Sequence, residues 1–184
     1  MNVKRSLIAT AGLMLVLAGA GLLHAQTEDV FAFIPAGGRT LLERAAGAGL
    51  QGGELDAILA GRHSREEWQA LLQDKPAINQ LGQAEIATLA DYLAHNMPIA
   101  PGAPLPRDGR DLVLEYCQSC HIITVVVTQD RAREAWLGSL NKPSHIEIEL
   151  TAAEREALAD YLVLNAAIPI DLVPEELRAG GATY

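Results

Sequence analysis

The sequence Leu-Ala-Asp-Tyr-Leu occurs twice in this chain, at residues 89–93 and again at residues 158–162. In each copy the two leucines and the tyrosine recur at the spacing that places side chains on one face of an α-helix. An identical match of five residues, 69 positions apart, is typical of an internal duplication. The chain is therefore predicted to contain two helical units of similar sequence.

Three further pairs of segments flank these helices and repeat at nearly the same distance, 67 to 71 positions apart. They are Gly38-Arg39 with Gly109-Arg110, Arg65-Glu66-Glu67-Trp68 with Arg133-Glu134-Ala135-Trp136, and Lys75-Pro76 with Lys142-Pro143. A nearly constant offset indicates a duplicated unit of about 65 residues whose loops later drifted in length. The sequence thus predicts an all-α protein with two small helical domains in tandem.

Composition sets the boundaries of these predicted domains. The first unit spans residues 26–97 and the second spans residues 107–168. Residues 98–106 form a stiff linker, because their prolines remove backbone donors and disfavour helix. Residues 169–184 form an acidic tail that we expect to pack along the surface or to fray. The only strand-like stretch is residues 122–127, and one short β-branched run does not make a sheet.

Residues 1–25 have the features of an export signal peptide. Lys4 and Arg5 precede an uncharged apolar stretch at residues 7–23, and the small Ala25 suits the position before a cleavage point. The alternative is an uncleaved anchor, since this stretch is nearly long enough to span a bilayer. Cleavage predicts a periplasmic protein without a membrane span.

The charge of the chain limits its partners. It has 14 Lys and Arg residues against 23 Asp and Glu residues, a formal net charge of −9. A surface of this sign repels phosphate backbones, which excludes nucleic acid as a partner. It predicts instead a protein partner with a basic docking patch, and an association that slows when salt is added.

The second unit contains Cys117-Gln118-Ser119-Cys120-His121, the C-x-x-C-H pattern of c-type haem attachment. Two thiols at this spacing can add to the two vinyl groups on one porphyrin edge, while the adjacent imidazole binds the iron. A thioredoxin-like pair, half of a zinc site or a disulfide would also explain two such cysteines. Thioredoxin-like chemistry needs a βαβ context that the sequence lacks, and a zinc site would need His145 or a distant histidine as its fourth ligand.

Through this motif, through Gly109 and through Tyr161 in its last helix, the second unit resembles the class I cytochrome c family. The resemblance implies one haem c per chain, attached covalently to Cys117 and Cys120, with His121 as the proximal iron ligand. It also implies that the first helix of the unit crosses closely over the last one, where Gly109 meets Tyr161.

The first unit has none of the three attachment residues. Ala46, Gly49 and Leu50 stand at the corresponding positions. We therefore interpret residues 26–97 as a degenerate cytochrome-c-like domain without a haem site. The tandem is similar to the small cytochrome domains in subunits of periplasmic dehydrogenases.

The distal iron ligand is not decided by the motif. The family usually provides a methionine, but no methionine follows Met97 in this chain. His145, in the loop before the last helix, is the first candidate for this ligand. Met97 is the second candidate, and a vacant site is the third.

Two residues on one predicted helix are candidate haem contacts. Arg133 could bind a propionate, and Trp136 could lie against the porphyrin with its indole N–H free to donate. Arg65 and Trp68 occupy the same places in the unit without a haem site, which favours a structural role for both pairs. Both interpretations stay open at the level of sequence.

Together these features predict an exported cytochrome that transfers single electrons and is not itself an enzyme. We favour the electron-accepting subunit or partner of a periplasmic dehydrogenase, because a haemless unit and an acidic tail offer surfaces that a free carrier does not need. A haem protein that binds or senses a gas is the alternative, and it requires a vacant sixth site. A third hypothesis is an exported thiol-disulfide enzyme.

Overall fold

The structure, a computed structural model, describes residues 29–178. Within this range the chain forms α-helices and short 3₁₀ turns and has no β-strand, which confirms the all-α prediction. The helices are α1 Gly38–Gly47, α2 Gly53–Ala60, α3 Arg65–Gln73, α4 Gln83–Asn96, α5 Gly109–Tyr116, α6 Thr124–Val127, α7 Arg133–Leu140, α8 Pro143–Ile146 and α9 Ala152–Asn165. The predicted signal peptide lies outside the described residues, as do residues 179–184. No described helix is long and apolar enough to cross a membrane.

Side chains at the helix starts explain where several helices begin. Ser64, Asp108 and Thr151 each accept a hydrogen bond from a backbone N–H one turn into the following helix. An acidic residue three positions later accepts from the backbone N–H of the capping residue in each case. These reciprocal bonds satisfy donors that a helix start otherwise leaves unpaired.

The helices enclose two hydrophobic cores. The first core lies among α1 to α4 and the second among α5 to α9. The second core also takes in Ile34, with Phe31 and Phe33 packed against it. The start of the described chain, which the predicted boundaries assign to the first unit, packs on the second unit instead, and Arg110 holds it by bonding to Asp29 and to the carbonyls of residues 31 and 34.

Glycine allows a close helix crossing in each half of the molecule. A Cβ added at Gly38 would come within 2.1 Å of Tyr92 Cβ, and one added at Gly109 would come equally close to Tyr161 Cβ. The first crossing joins α1 to α4, and the second joins α5 to α9. The contact of Gly109 with Tyr161 that the sequence predicts is therefore present.

We expect Gly109→Ala to lower the free energy of unfolding by about 1–3 kcal/mol, because the new methyl group overpacks the crossing. Gly138→Ala is the matched control, since a Cβ at this helical position meets nothing within 4 Å. Alanine there should be neutral or stabilise the helix by about 0.5–1 kcal/mol. Urea denaturation of both variants tests this pair, and equal stabilities would contradict the tight crossing.

The two halves are joined by α4 and α9, which pack against each other. Two tyrosines on these helices bond reciprocally across the junction. Tyr92 donates its hydroxyl to the carbonyl of Pro106 at 2.9 Å, and Tyr161 donates to the carbonyl of Pro35 at 2.6 Å. Each proline precedes the first helix of the opposite unit. The two equivalent tyrosines of the repeat therefore make equivalent hydrogen bonds, each to the other unit.

The linker and the tail both pack on the cores. In the linker, Leu105 lies against the first core. In the tail, Val173 is fully buried in the second core, and the Thr124 hydroxyl donates to the carbonyl of Leu177 at 2.5 Å. Val173 and Leu177 therefore hold this part of the tail against the second unit. Of the two expectations for the tail, packing and fraying, the described residues follow the first.

A buried network of charges lies between the halves. Arg65 Nη2 is 2.8 Å from Asp91 Oδ1 and 3.5 Å from Asp160 Oδ1, and Arg133 Nε is 2.6 Å from Asp160 Oδ1. His95 Nε2 completes the network at 2.9 Å from Asp160 Oδ2. The network joins α3, α4, α7 and α9, and both aspartates are about 95 % buried.

The environment shifts the pKa of each group that titrates in this network. Burial raises the pKa of Asp91 to about 6, because its effect is larger than the opposing effect of the nearby charges of Arg65 and His95. The hydrogen bond to Asp160 raises the pKa of His95. Burial also acts to raise the pKa of Asp160, but hydrogen bonds from His95 and Arg133 outweigh it and hold this pKa well below its usual range.

These shifts predict that the free energy of unfolding falls as the pH rises from about 5 to about 8. The contribution of Asp91 is fully present below its ordinary pKa of 3.8 and is lost as the pH rises through about 6. The contribution of His95 is fully present below its ordinary pKa of 6.5 and is lost as the pH rises through its raised value. Asp160 acts in the opposite sense, and its contribution is lost only in strong acid.

Urea denaturation at pH 5 and pH 8 measures this dependence. Asp91→Asn should reduce it, because the group that ionises near pH 6 is gone while His95, still bonded to Asp160, continues to contribute. Asp56→Asn is the control, since Asp56 is exposed on α2 and should leave the full dependence in place. Equal stability of the unsubstituted protein at the two pH values would contradict the prediction.

Candidate functional site

A cleft opens into the second core and encloses about 760 Å³ of space, part of it open to solvent. Its walls are mainly apolar side chains from α6, α7, α9 and the segment after α8. They include Val125, Val126, Leu140, Ile148, Leu150, Leu158 and Leu162. The side chains in the lining that can carry chemistry are Cys117, Cys120, His121, Arg131, Trp136 and His145.

The two cysteines lie at one edge of this cleft because α5 ends at Tyr116 and a 3₁₀ turn, Cys117–Ser119, follows directly. Neither cysteine forms a disulfide. Burial raises the pKa of the Cys117 thiol to about 11. A redox-active cysteine needs a lowered pKa to supply its thiolate, so this environment disfavours a thiol-disulfide enzyme.

The two histidines predicted as iron ligands both line the cleft and lie close together. The ring centres of His121 and His145 are 6.1 Å apart, and the ring planes meet at 73°. His145 Nδ1 lies 2.7 Å from the carbonyl oxygen of Ser139. Because a carbonyl only accepts, Nδ1 carries the proton and Nε2 keeps its lone pair for a ligand.

The structure brings Trp136 into the cleft together with an arginine that the sequence did not single out. The indole N–H of Trp136 is buried and has no hydrogen-bond partner among the described residues. The guanidinium of Arg131 lies over the same indole, 4.9 Å from the ring centre. Both side chains line the cleft, although the indole N–H of Trp68 in the first unit is likewise buried without a partner among the described residues.

The first unit uses the equivalent space differently. Leu50, at the position of His121, is fully buried in the first core. Ile78, the third residue of the turn Pro76–Ile78, corresponds to His145 in α8 and is also fully buried. Aliphatic side chains thus fill the first core at the two positions where the second unit has histidines.

Two predicted site residues lie outside the cleft. Arg133 bonds Asp160 and Glu156 through Nε and Nη2, and it is not among the side chains that line the cleft. Met97 is 5 % exposed and packs in the first core, because it directly follows α4 and its side chain lies among the residues of that unit. The predictions that Arg133 contacts a haem and that Met97 ligates its iron find no support in this arrangement.

The structure also bears on the zinc alternative. A metal site needs several acidic, histidine or cysteine side chains whose ligand atoms lie close together. In residues 29–178, one group of three has all its ligand atoms within 4.8 Å of one another, and it consists of Asp91, His95 and Asp160. The cysteines and histidines of the cleft are more widely spaced, which is unlike a preformed tetrahedral zinc site. At Asp91 and Asp160 the guanidiniums of Arg65 and Arg133 already occupy the place of a cation.

The position of Arg131 beside Trp136 could have been predicted from the repeat, although an arginine by itself does not indicate a contact with tryptophan. It lies five residues before Trp136, as His63 lies five residues before Trp68, and the His63 ring packs edge-on against that indole at 4.6 Å. The two units thus share a side chain packed on the tryptophan and differ in its chemistry.

Comparisons of the chain with protein-family models, with curated proteins and with solved structures give no match.

Proposed function

We propose that this chain is an exported mono-haem c-type cytochrome that transfers single electrons. The observation that carries the proposal is the convergence of Cys117, Cys120, His121 and His145 on one apolar cleft, with the two imidazoles 6.1 Å apart. Two imidazoles that bind one metal ion from opposite sides, each at about 2 Å, have ring centres about 6 Å apart. The separation in the cleft therefore fits two axial histidines.

Each residue of the cleft then has a separate task. Cys117 and Cys120 would anchor the haem covalently at the cleft edge, and His121 and His145 would hold its iron. The hydrogen bond from His145 Nδ1 to Ser139 fixes the ring orientation and the tautomer that leaves Nε2 free to bind. When bound, the haem supplies an iron that cycles between the ferric and ferrous states.

Trp136 and Arg131 provide a place for an anionic group of the haem. The unpaired indole N–H can donate to a propionate oxygen, and the Arg131 guanidinium beside it offers the opposite charge. Arg131 thus takes the role that the sequence suggested for Arg133. The apolar walls would keep water away from the iron. Exclusion of water would raise the reduction potential.

The two axial histidines argue against the gas-binding alternative, since that function needs an open sixth position. We further propose that the protein acts in the periplasm and is not itself an enzyme. Its partner would be a dehydrogenase, or another redox protein, with a basic docking patch. The acidic net charge of −9 supports this partner.

The proposal is tested by expressing the full chain together with a c-type haem maturation system. A haem-stained band that survives denaturing electrophoresis, with a mass increase of one haem, is expected. The reduced protein should have a low-spin six-coordinate spectrum that carbon monoxide leaves unchanged. A chain without attached haem would refute the cytochrome, and a high-spin form that binds carbon monoxide would favour the gas-binding alternative.

A further inference from the structure

The mouth of the cleft is bordered by exposed aliphatic side chains. Ile122 is 53 % exposed, Val125 38 % and Ile146 59 %. Val125 lines the cleft, and the other two directly follow the lining residues His121 and His145. Three large apolar side chains at one opening are a feature of surfaces that contact another molecule.

The same border carries uncompensated negative charge. Asp130 lies between the lining residues at positions 129 and 131, and Glu147 and Glu149 flank the lining residue Ile148. All three are exposed, and within the described range none of them lies within 4 Å of a cationic group. Most other acidic side chains of the second unit, such as Glu115 and Glu154, are paired with arginine.

The cleft border carries less positive charge than negative charge. Arg131 is half-buried over Trp136, so its charge faces the cleft more than the solvent. Lys142 is the exposed cation of the α7–α8 junction. Three free carboxylates against one free ammonium leave the opening acidic, with an apolar centre.

We propose that this border, defined as Ile122, Val125, Asp130, Ile146, Glu147 and Glu149, is the docking surface for a redox protein. The partner would present a small apolar contact surrounded by lysine or arginine. The inference rests on the proposed function, because electrons would pass to and from a cofactor held in this cleft. Charge complementarity steers the encounter, and the aliphatic side chains provide the short contact.

The test uses the haem-loaded full chain and two probes. The first is mitochondrial cytochrome c, a lysine-rich redox protein, joined to the chain by a carbodiimide. This reagent couples a carboxyl to a lysine amine as an amide and takes up the water released, and mass spectrometry locates the bond. The second probe is hexaammineruthenium(III), a small cation that accepts one electron from the ferrous protein.

Cross-links at Glu147 and Glu149 are expected, and they should disappear at high salt. The variant Asp130→Asn/Glu147→Gln/Glu149→Gln should react about tenfold more slowly with the ruthenium cation at low ionic strength. The matched control, Glu43→Gln/Asp56→Asn/Glu66→Gln, removes the same charge from exposed positions of the first unit and should react as the unsubstituted protein does. Lys142→Gln should change the rate in the opposite direction.

The apolar contact is tested by Ile146→Gln, which should reduce cross-linking to the protein probe and leave the rate with the ruthenium cation unchanged. Cross-links spread evenly over the acidic surface, or equal effects of the two triple variants, would overturn the docking surface while the cytochrome function stands. A chain that attaches no haem refutes the function and, with it, this inference. The two failures are therefore distinguishable.

Discussion

Serine at both Cys117 and Cys120 is expected to abolish covalent haem attachment. Each thioether forms between one cysteine sulfur and one vinyl group, so the double substitution removes both bonds. The chain should then show no haem-stained band after denaturing electrophoresis and no mass increase. Each single substitution keeps one sulfur in place at the cleft edge and should reduce the yield of attached haem without eliminating it.

The control is Ser119→Ala, in the same turn. The Ser119 hydroxyl donates to the carbonyl of Tyr116 at 2.7 Å and lies 3.6 Å from Cys120 Sγ, but it has no sulfur with which to form a thioether. This variant should carry haem like the unsubstituted chain. Covalent haem in the double serine variant would contradict the role of the motif, and loss of haem in Ser119→Ala would mean that the turn itself, and not its sulfurs, is required.

Substitution of His145 should have the second large effect. It should change the coordination and the spin state of the iron and leave haem attachment intact. We expect His145→Ala to keep the covalent haem and to convert the spectrum from low-spin six-coordinate to high-spin. That variant should bind carbon monoxide, because its sixth position is open. His145→Met should restore a six-coordinate spectrum and raise the reduction potential, by on the order of 0.1 V, since a thioether favours the ferrous state.

His63→Ala is the matched control for this series. His63 packs on Trp68 in the first unit, as Arg131 packs on Trp136 in the second, and it is exposed outside the first core. Its removal should change neither the spectrum nor the potential. An unchanged spectrum in His145→Ala would exclude His145 as the distal ligand, and a second substitution, Met97→Ala, would then test the other candidate.

Local sequence patterns predicted much of the fold because they depend on neighbours in the chain. Helical spacing, the capping pairs at Ser64 and Thr151, and the duplicated Leu-Ala-Asp-Tyr-Leu helices all act over a few residues. The crossing of Gly109 with Tyr161 was also foreseen, since the resemblance to a family supplied that long-range contact. The run at 122–127 is the exception, where β-branched residues form the helix Thr124–Val127 because Val126 and Val127 are buried in a helical core.

Long-range contacts were not readable in the same way. His95 is exposed near the end of α4, yet its Nε2 lies 2.9 Å from Asp160 Oδ2 of the other half. For Arg133 the sequence left a haem contact and a structural role open, and the guanidinium bonds the buried Asp160. Met97 belongs to the first core and not to the cleft. In each case the partner lies 27 or more residues away or in the other half, so no spacing in the chain specifies it.

The sequence by itself determined the helices, the duplication and the attachment motif, because each is encoded within a short segment. Only the tertiary structure decided which side chains share the cleft. It placed His145 opposite His121, put Arg131 rather than Arg133 on Trp136, and filled the equivalent positions of the first unit with Leu50 and Ile78. The physical reason is that a core must be filled completely, either by aliphatic side chains or by the group that its lining residues are spaced to hold.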